Sequence, residues 1–145
     1  MTTPPPPPLT IDVPGVPIPQ GSLRSLGPRR LVHSNAEQLR PWREAVAWHL
    51  REAMATAGQT EPWDEPVGVM VTFHLPRPAS APRRRWAPDR KPDIDKLLRA
   101  CLDALTASGA VVDDARVIKV SAEKRYGLPG MWMTVGPLPA PVVAR

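Results

Sequence analysis

The sequence predicts an α/β (α+β) fold, a small mixed β-sheet covered by two main helices in one domain. Three observations predict it. Val67, Val69, Val71 and Phe73 alternate with other residues, as on the buried side of a strand. Leu97, Leu98, Cys101, Leu102 and Leu105 recur at helical spacing and form one apolar stripe. A chain of 145 residues is long enough for one core and too short for two well-packed ones.

Taken in order, Pro4 to Pro8 lack backbone donors and favour an extended conformation, so residues 1–8 are expected to form a flexible proline-rich tail. The domain is then expected over residues 9–136, with residues 137–145 as a C-terminal tail. Leu9, Ile11, Val13 and Val16 roughly alternate. They predict a first strand that Pro14 and Pro17 push toward a sheet edge. Pro19-Gln20-Gly21-Ser22 reads as a turn, and Arg30 to His33 as a short second strand. Ser34 or Asn35 can cap a helix over Ala36 to Ala57, where Trp42, Val46, His49, Leu50 and Ala53 keep helical spacing. Pro41 either kinks that helix or marks its first turn, and Gly58 stops it. The strand from Val67 to Phe73 should be central.

Between Pro76 and Pro92 no period survives, so residues 77–92 are expected to be a mobile basic loop that orders on a ligand. The apolar stripe predicts a helix from Asp95 to Ala107, stopped by Gly109. Val111-Val112 and Val117 to Val120 predict two strands flanking an acidic turn at Asp113-Asp114, and Met131 to Val135 a last one.

The formal net charge is +5, which favours a polyanionic partner without establishing one. Its distribution says more. Arg77, Arg83, Arg84, Arg85, Arg90 and Lys91 stand against Asp89 alone within one segment, the concentration that phosphate-backbone binding would use. A solvated charge run reads the same way. With 1 Cys, Cys101, the chain has no intramolecular disulfide or multi-Cys zinc site, and a core role for it is expected. No apolar run spans a bilayer and no signal sequence is legible, so no membrane partner and a cytoplasmic location are expected.

The informative stretch is KPDIDKLLRACLDALTASGAVVDDARVIK, Lys91 to Lys119. Asp93 and Asp95 are one residue apart; an extended chain aims both the same way, whereas within a helix they diverge by about 200°. Pro92 biases Lys91 toward extended geometry, so Asp93 is expected ahead of the helix with Asp95 at its cap. Two such acids plus Asp113 or Asp114 would suffice for Mg²⁺, a hard cation that keeps several waters. Ordinary roles fit the same spacing. Asp95, Arg99 and Asp103 could form an ion-pair ladder, Asp93 or Asp95 a plain cap, and Asp113-Asp114 a plain turn.

The whole pattern, K-P-D-I-D-K-L-L, then D-A-L-T, a Gly-ended helix and V-V-D-D-A-R-V-I, resembles the RusA family of Holliday-junction resolvases. P-I-P-Q-G-S and L-R-P-W-R-E-A-V are also similar to N-terminal features of some members, so the resemblance runs from Leu9 to Tyr126. It implies that Asp93, Asp95 and Asp114 are the catalytic, Mg²⁺-binding aspartates, and it also places Asp103 within the motif. Two positions depart: Lys96 stands where Asn is common, and Arg99 replaces a functionally important lysine. Arg99 keeps the charge but cannot give up a proton.

The resemblance further implies a homodimer that cuts opposed strands of branched DNA, with roles in recombination and repair. Arg83, Arg84, Arg85, Arg90 and Lys91 are then expected to bind backbone phosphates, and Trp86 either to stack on an unpaired base or to pack the loop down. His33, His49 and His74 lie far from the acids in sequence and are expected to be structural. A non-catalytic branched-DNA-binding dimer, and a structural or regulatory dimer, are the competing readings. Acids that repel phosphate count against the first, and the Arg-rich loop against the second.

Overall fold

The computed structural model describes residues 6–21, 23–25, 31–33 and 36–142. Its first strand, β1 (Leu9–Pro14), is followed by β2 (Leu23–Ser25), β3 (Leu31–His33) and helix α1 (Ala36–Ala57). Strand β4 (Val67–Leu75), helix α2 (Ile94–Ser108), a 3₁₀ turn (Asp114–Arg116), β5 (Val117–Tyr126) and β6 (Gly130–Pro137) complete the chain. The main sheet has the order β1-β6-β4-β5, and β2 and β3 form a separate antiparallel pair.

Because β4 and β5 run parallel, the chain between them must cross back over the sheet, and α2 is that crossover. The other main-sheet pairings, β1 with β6 and β4 with β6, are antiparallel. The sheet is therefore mixed, as expected. Strand β4 lies inside it, and β1 with its terminal Pro14 lies at an edge, where a missing N–H costs least.

Alternation on β1 and β4 sends Leu9, Ile11, Val13, Val67, Val69, Val71 and Phe73 into one core with Met131, Met133 and Val135 of β6. Helix α1 contributes Leu39, Trp42, Val46, Ala47 and Leu50, and α2 contributes Leu97, Ala100, Cys101, Ala104 and Leu105. The two helices thus lean on one sheet face and on each other. The thiol of Cys101 is fully buried and pushed well above its ordinary range by desolvation, which suits the core role expected of it.

Several expectations need correction. Val111-Val112 forms no strand; Val111 makes only a single bridge, to Trp63. Strand β5 is longer than Val117 to Val120, and Pro41 sits inside α1 rather than at its first turn. The first strand stops at Pro14, short of Val16. Gly58 and Gly109 do end the helices, both at positive φ, 73° and 85°. Ser34 and Asn35, the expected caps of α1, lie outside the described residues.

Candidate active site

Helix α2 carries the acidic residues because of how it starts. Asp93 is its N-cap, extended at φ −71° and ψ 139°, and its carbonyl accepts from Leu97 N at 3.1 Å. Asp95 therefore lies in the first helical turn, not at the cap as expected. The side chain of Asp93 makes no capping hydrogen bond. A plain capping role is thus missing for the one residue positioned to perform it.

Two contacts seat this helix start. Lys124 Nζ, on β5, donates to the carbonyls of Arg90 and Pro92, both at 2.9 Å. Gln20 N donates to Lys96 O at 2.9 Å, tying the segment after β1 to the first turn of α2. Between them a cleft of about 470 Å³ opens beside Asp93, walled by Pro17, Ile18, Gln20, Gln38, Lys91 and Lys96.

The ion-pair ladder does not form. Asp103 pairs with Arg43 of α1 at 3.5 Å, and among the described residues neither Asp95 nor Arg99 joins an ion pair. The charge of Arg99 instead favours the ionised form of Asp114.

That turn is clamped from both sides. Trp63 N donates to Ala110 O at 2.8 Å and Val112 N to Trp63 O at 3.0 Å, while Arg116 Nη2 pairs with Asp64 Oδ1 at 2.8 Å. Within it the two aspartates differ. Asp113 Oδ1 accepts from Ala115 N at 2.9 Å, an ordinary turn role, and this bond, with one from Asp114, holds its carboxyl below the usual range. The hydrogen bond with Asp113, partial burial, and the negative charges of Asp113 and Asp103 push Asp114 up, against the pull of Arg99. Of the pair left open by the sequence, Asp114 is the one whose carboxyl is pushed up.

The helix start and the turn thus offer carboxylate oxygens, the donor chemistry of a hard divalent ion. Among the described residues, however, no three His, Cys, Asp or Glu side chains are gathered closely enough to hold a metal. Arg99, Asp103 and Asp113 are the charges acting on Asp114. Asp93 and Asp95 stand at the start of the same helix without joining that set.

The basic loop is folded on itself. Arg77 Nη2 donates to the carbonyls of Ala81 and Pro82 at 3.2 and 2.8 Å, and its guanidinium stands 5.9 Å from the Tyr126 ring centroid. Asp89 Oδ1 takes Arg85 at 3.7 Å and Arg90 at 2.9 Å. Arg83, Arg84 and Lys91 are exposed and make no such pair with the described residues. Trp86 is 88% exposed, so it does not pack the loop down.

Of the histidines, His49 Nδ1 lies 2.9 Å from Ala45 O and His74 is half-buried against Gly127; the His33 side chain lies outside the described residues. Sequence reasoning missed Lys124, Arg43 and the Asp64–Arg116 pair, each of which acts across elements far apart in the chain. The expectation of no membrane span agrees with the helices, since among the described residues none is long and apolar enough to cross a membrane.

No curated protein matches the chain. The family model described as Endodeoxyribonuclease RusA matches residues 14–135, which takes in β1's last residue, both helices and most of β6. Since that match spans most of the chain, the chain belongs to the RusA endodeoxyribonuclease family.

Proposed function

We propose that the protein is a Mg²⁺-dependent, structure-selective endonuclease that resolves Holliday junctions or other branched DNA by paired phosphodiester hydrolysis, working as a homodimer. The observation that carries this reading is the family match over residues 14–135, within which Asp93, Asp95 and Asp114 stand free of capping or ion-pair duties.

Asp93, Asp95 and Asp114 would hold Mg²⁺. When bound, the ion supplies Lewis acidity toward a phosphoryl oxygen and a water of lowered pKa. Arg99, fixed one helical turn beyond Asp95, offsets charge that builds on the phosphate, and as a guanidinium it donates hydrogen bonds without releasing a proton. Arg83, Arg84 and Lys91 are free to take backbone phosphates directly. Arg85 and Arg90 share Asp89, so they reach DNA only by exchanging a partner. Trp86, exposed among them, offers a ring face to an unstacked base at a junction. Two such sites in a dimer would face opposed strands. The expected setting is the cytoplasm, in recombination and repair.

The test is a synthetic four-way junction with Mg²⁺. Paired nicks by the wild type, lost in Asp95→Asn while junction binding persists, are the expected result. Equal nicking by Asp95→Asn refutes the metal assignment. Binding without any cut selects a non-catalytic branched-DNA binder, and equal cutting of linear duplex removes the junction preference.

A further inference from the structure

We infer that Lys124 is a positioning residue for the site: its ammonium group fixes the backbone from which Asp93 projects, without touching substrate. The inference deepens the nuclease reading above and rests on it for the catalytic consequence. Lys124 is set on β5 opposite Phe73 of β4, on the same side of the strand as Ala122, which packs against the core. An amine at such a half-buried position needs acceptors. It takes two, the carbonyls of Arg90 and Pro92, each at 2.9 Å.

Those carbonyls flank Lys91, so the two bonds brace an arch of backbone that ends at Asp93. On the far side Asp93 O is already bonded to Leu97 N. The peptide carrying the Asp93 carboxylate is therefore held from β5 on one side and from α2 on the other. Asp93 itself spends no side-chain bond on capping, and the Lys124 ammonium anchors the segment entering the helix. The same two bonds tie the end of the basic loop to the sheet, so one residue sets both where the acid stands and where the loop returns.

An alternative role is purely defensive: β5 is a sheet edge, and an inward-pointing charge discourages edge pairing. The experiment separates the two. Lys124→Met removes the donors at similar length, and Lys124→Arg keeps them. Amide exchange at Ile94 and Asp95, the melting temperature, junction affinity in Ca²⁺ and the Mg²⁺ dependence of nicking are measured on each full-length variant.

For Lys124→Met, positioning predicts at least about 10-fold faster exchange at Ile94 and Asp95, with β4 and α1 amides unchanged. Nicking should fall about 10–100-fold and require more Mg²⁺, as when the support of a metal ligand is lost. Junction affinity should stay within about twofold, because Lys124 does not contact DNA in this account, and Lys124→Arg should recover most of the rate. Wild-type nicking and wild-type local exchange in Lys124→Met overturn the inference. So does exchange raised equally throughout the chain with a lowered melting temperature, which marks a general structural role. If the wild type itself does not cut junctions, the nuclease reading fails, and the exchange at Ile94 and Asp95 alone decides whether Lys124 positions the segment.

Discussion

The basic loop after β4 and the acidic face of α2 carry opposite charge, yet each divides its charged side chains in the same way. In the loop, Arg77 is consumed by two carbonyls and the Tyr126 ring, and Arg85 and Arg90 by Asp89, whereas Arg83, Arg84 and Lys91 are left to solvent. On and after the helix, Asp103 is consumed by Arg43 and Asp113 by Ala115 N, whereas Asp93 and Asp95 make no ion pair with the described residues. The difference teaches which charges hold the fold and which are left over for the proposed ligands. Charge totals could not have separated them.

The sharpest break is between neighbours. Asp114→Asn should lower the junction-nicking rate by more than about 100-fold, beyond the range seen for residues that merely support a metal ligand. Asp113→Asn keeps an oxygen for Ala115 N and should change the rate by less than about threefold. Comparable losses in single-turnover assays of the two variants would erase the distinction drawn between them.

In the loop, Arg83→Ala with Arg84→Ala should weaken junction binding and flatten its salt dependence by about two counterion equivalents. Arg77→Ala should leave that slope alone and act on the loop instead, seen as faster proteolysis between Pro76 and Pro92. A slope unchanged by the double substitution would remove those arginines from the DNA surface. The smallest effect belongs to the pair joining the helices. Arg43→Ala, at a half-exposed ion pair, should cost about 0.2–1 kcal/mol in urea unfolding, with less effect at high salt.

How much of this was legible beforehand follows from the range of the forces involved. Helix α2 and strand β4 were legible because their apolar spacing is a local imprint of a buried face. The motif acids were legible as residue types at fixed spacing. Strand β5 beyond Val120 was not: its inward positions Ala122, Lys124 and Tyr126 are only half-buried and include a charge, so no apolar alternation marks it in the sequence, and its extended form comes from pairing with β4 far back in the chain. The resemblance had already pointed to Asp114; what was not legible is the different surroundings of the two acids, the hydrogen bond from Ala115 N at Asp113 and the charges of Asp103 and Arg99 at Asp114. Of the short pair, β3 was legible as the strand expected from Arg30 to His33, whereas the three residues of β2 are too few for any period to declare itself.

Since α2 is the connection between two parallel neighbours, strand pairing on that side of the sheet cannot be completed by a tight hairpin. A long stretch of chain must lose its freedom before β4 meets β5, and the reward arrives only when the helix has docked. The stretch being closed is the one that bears every proposed ligand of the metal. On the proposed reading, a copy in which β4 and β5 have not yet paired also lacks the ordered crossover that bears those ligands.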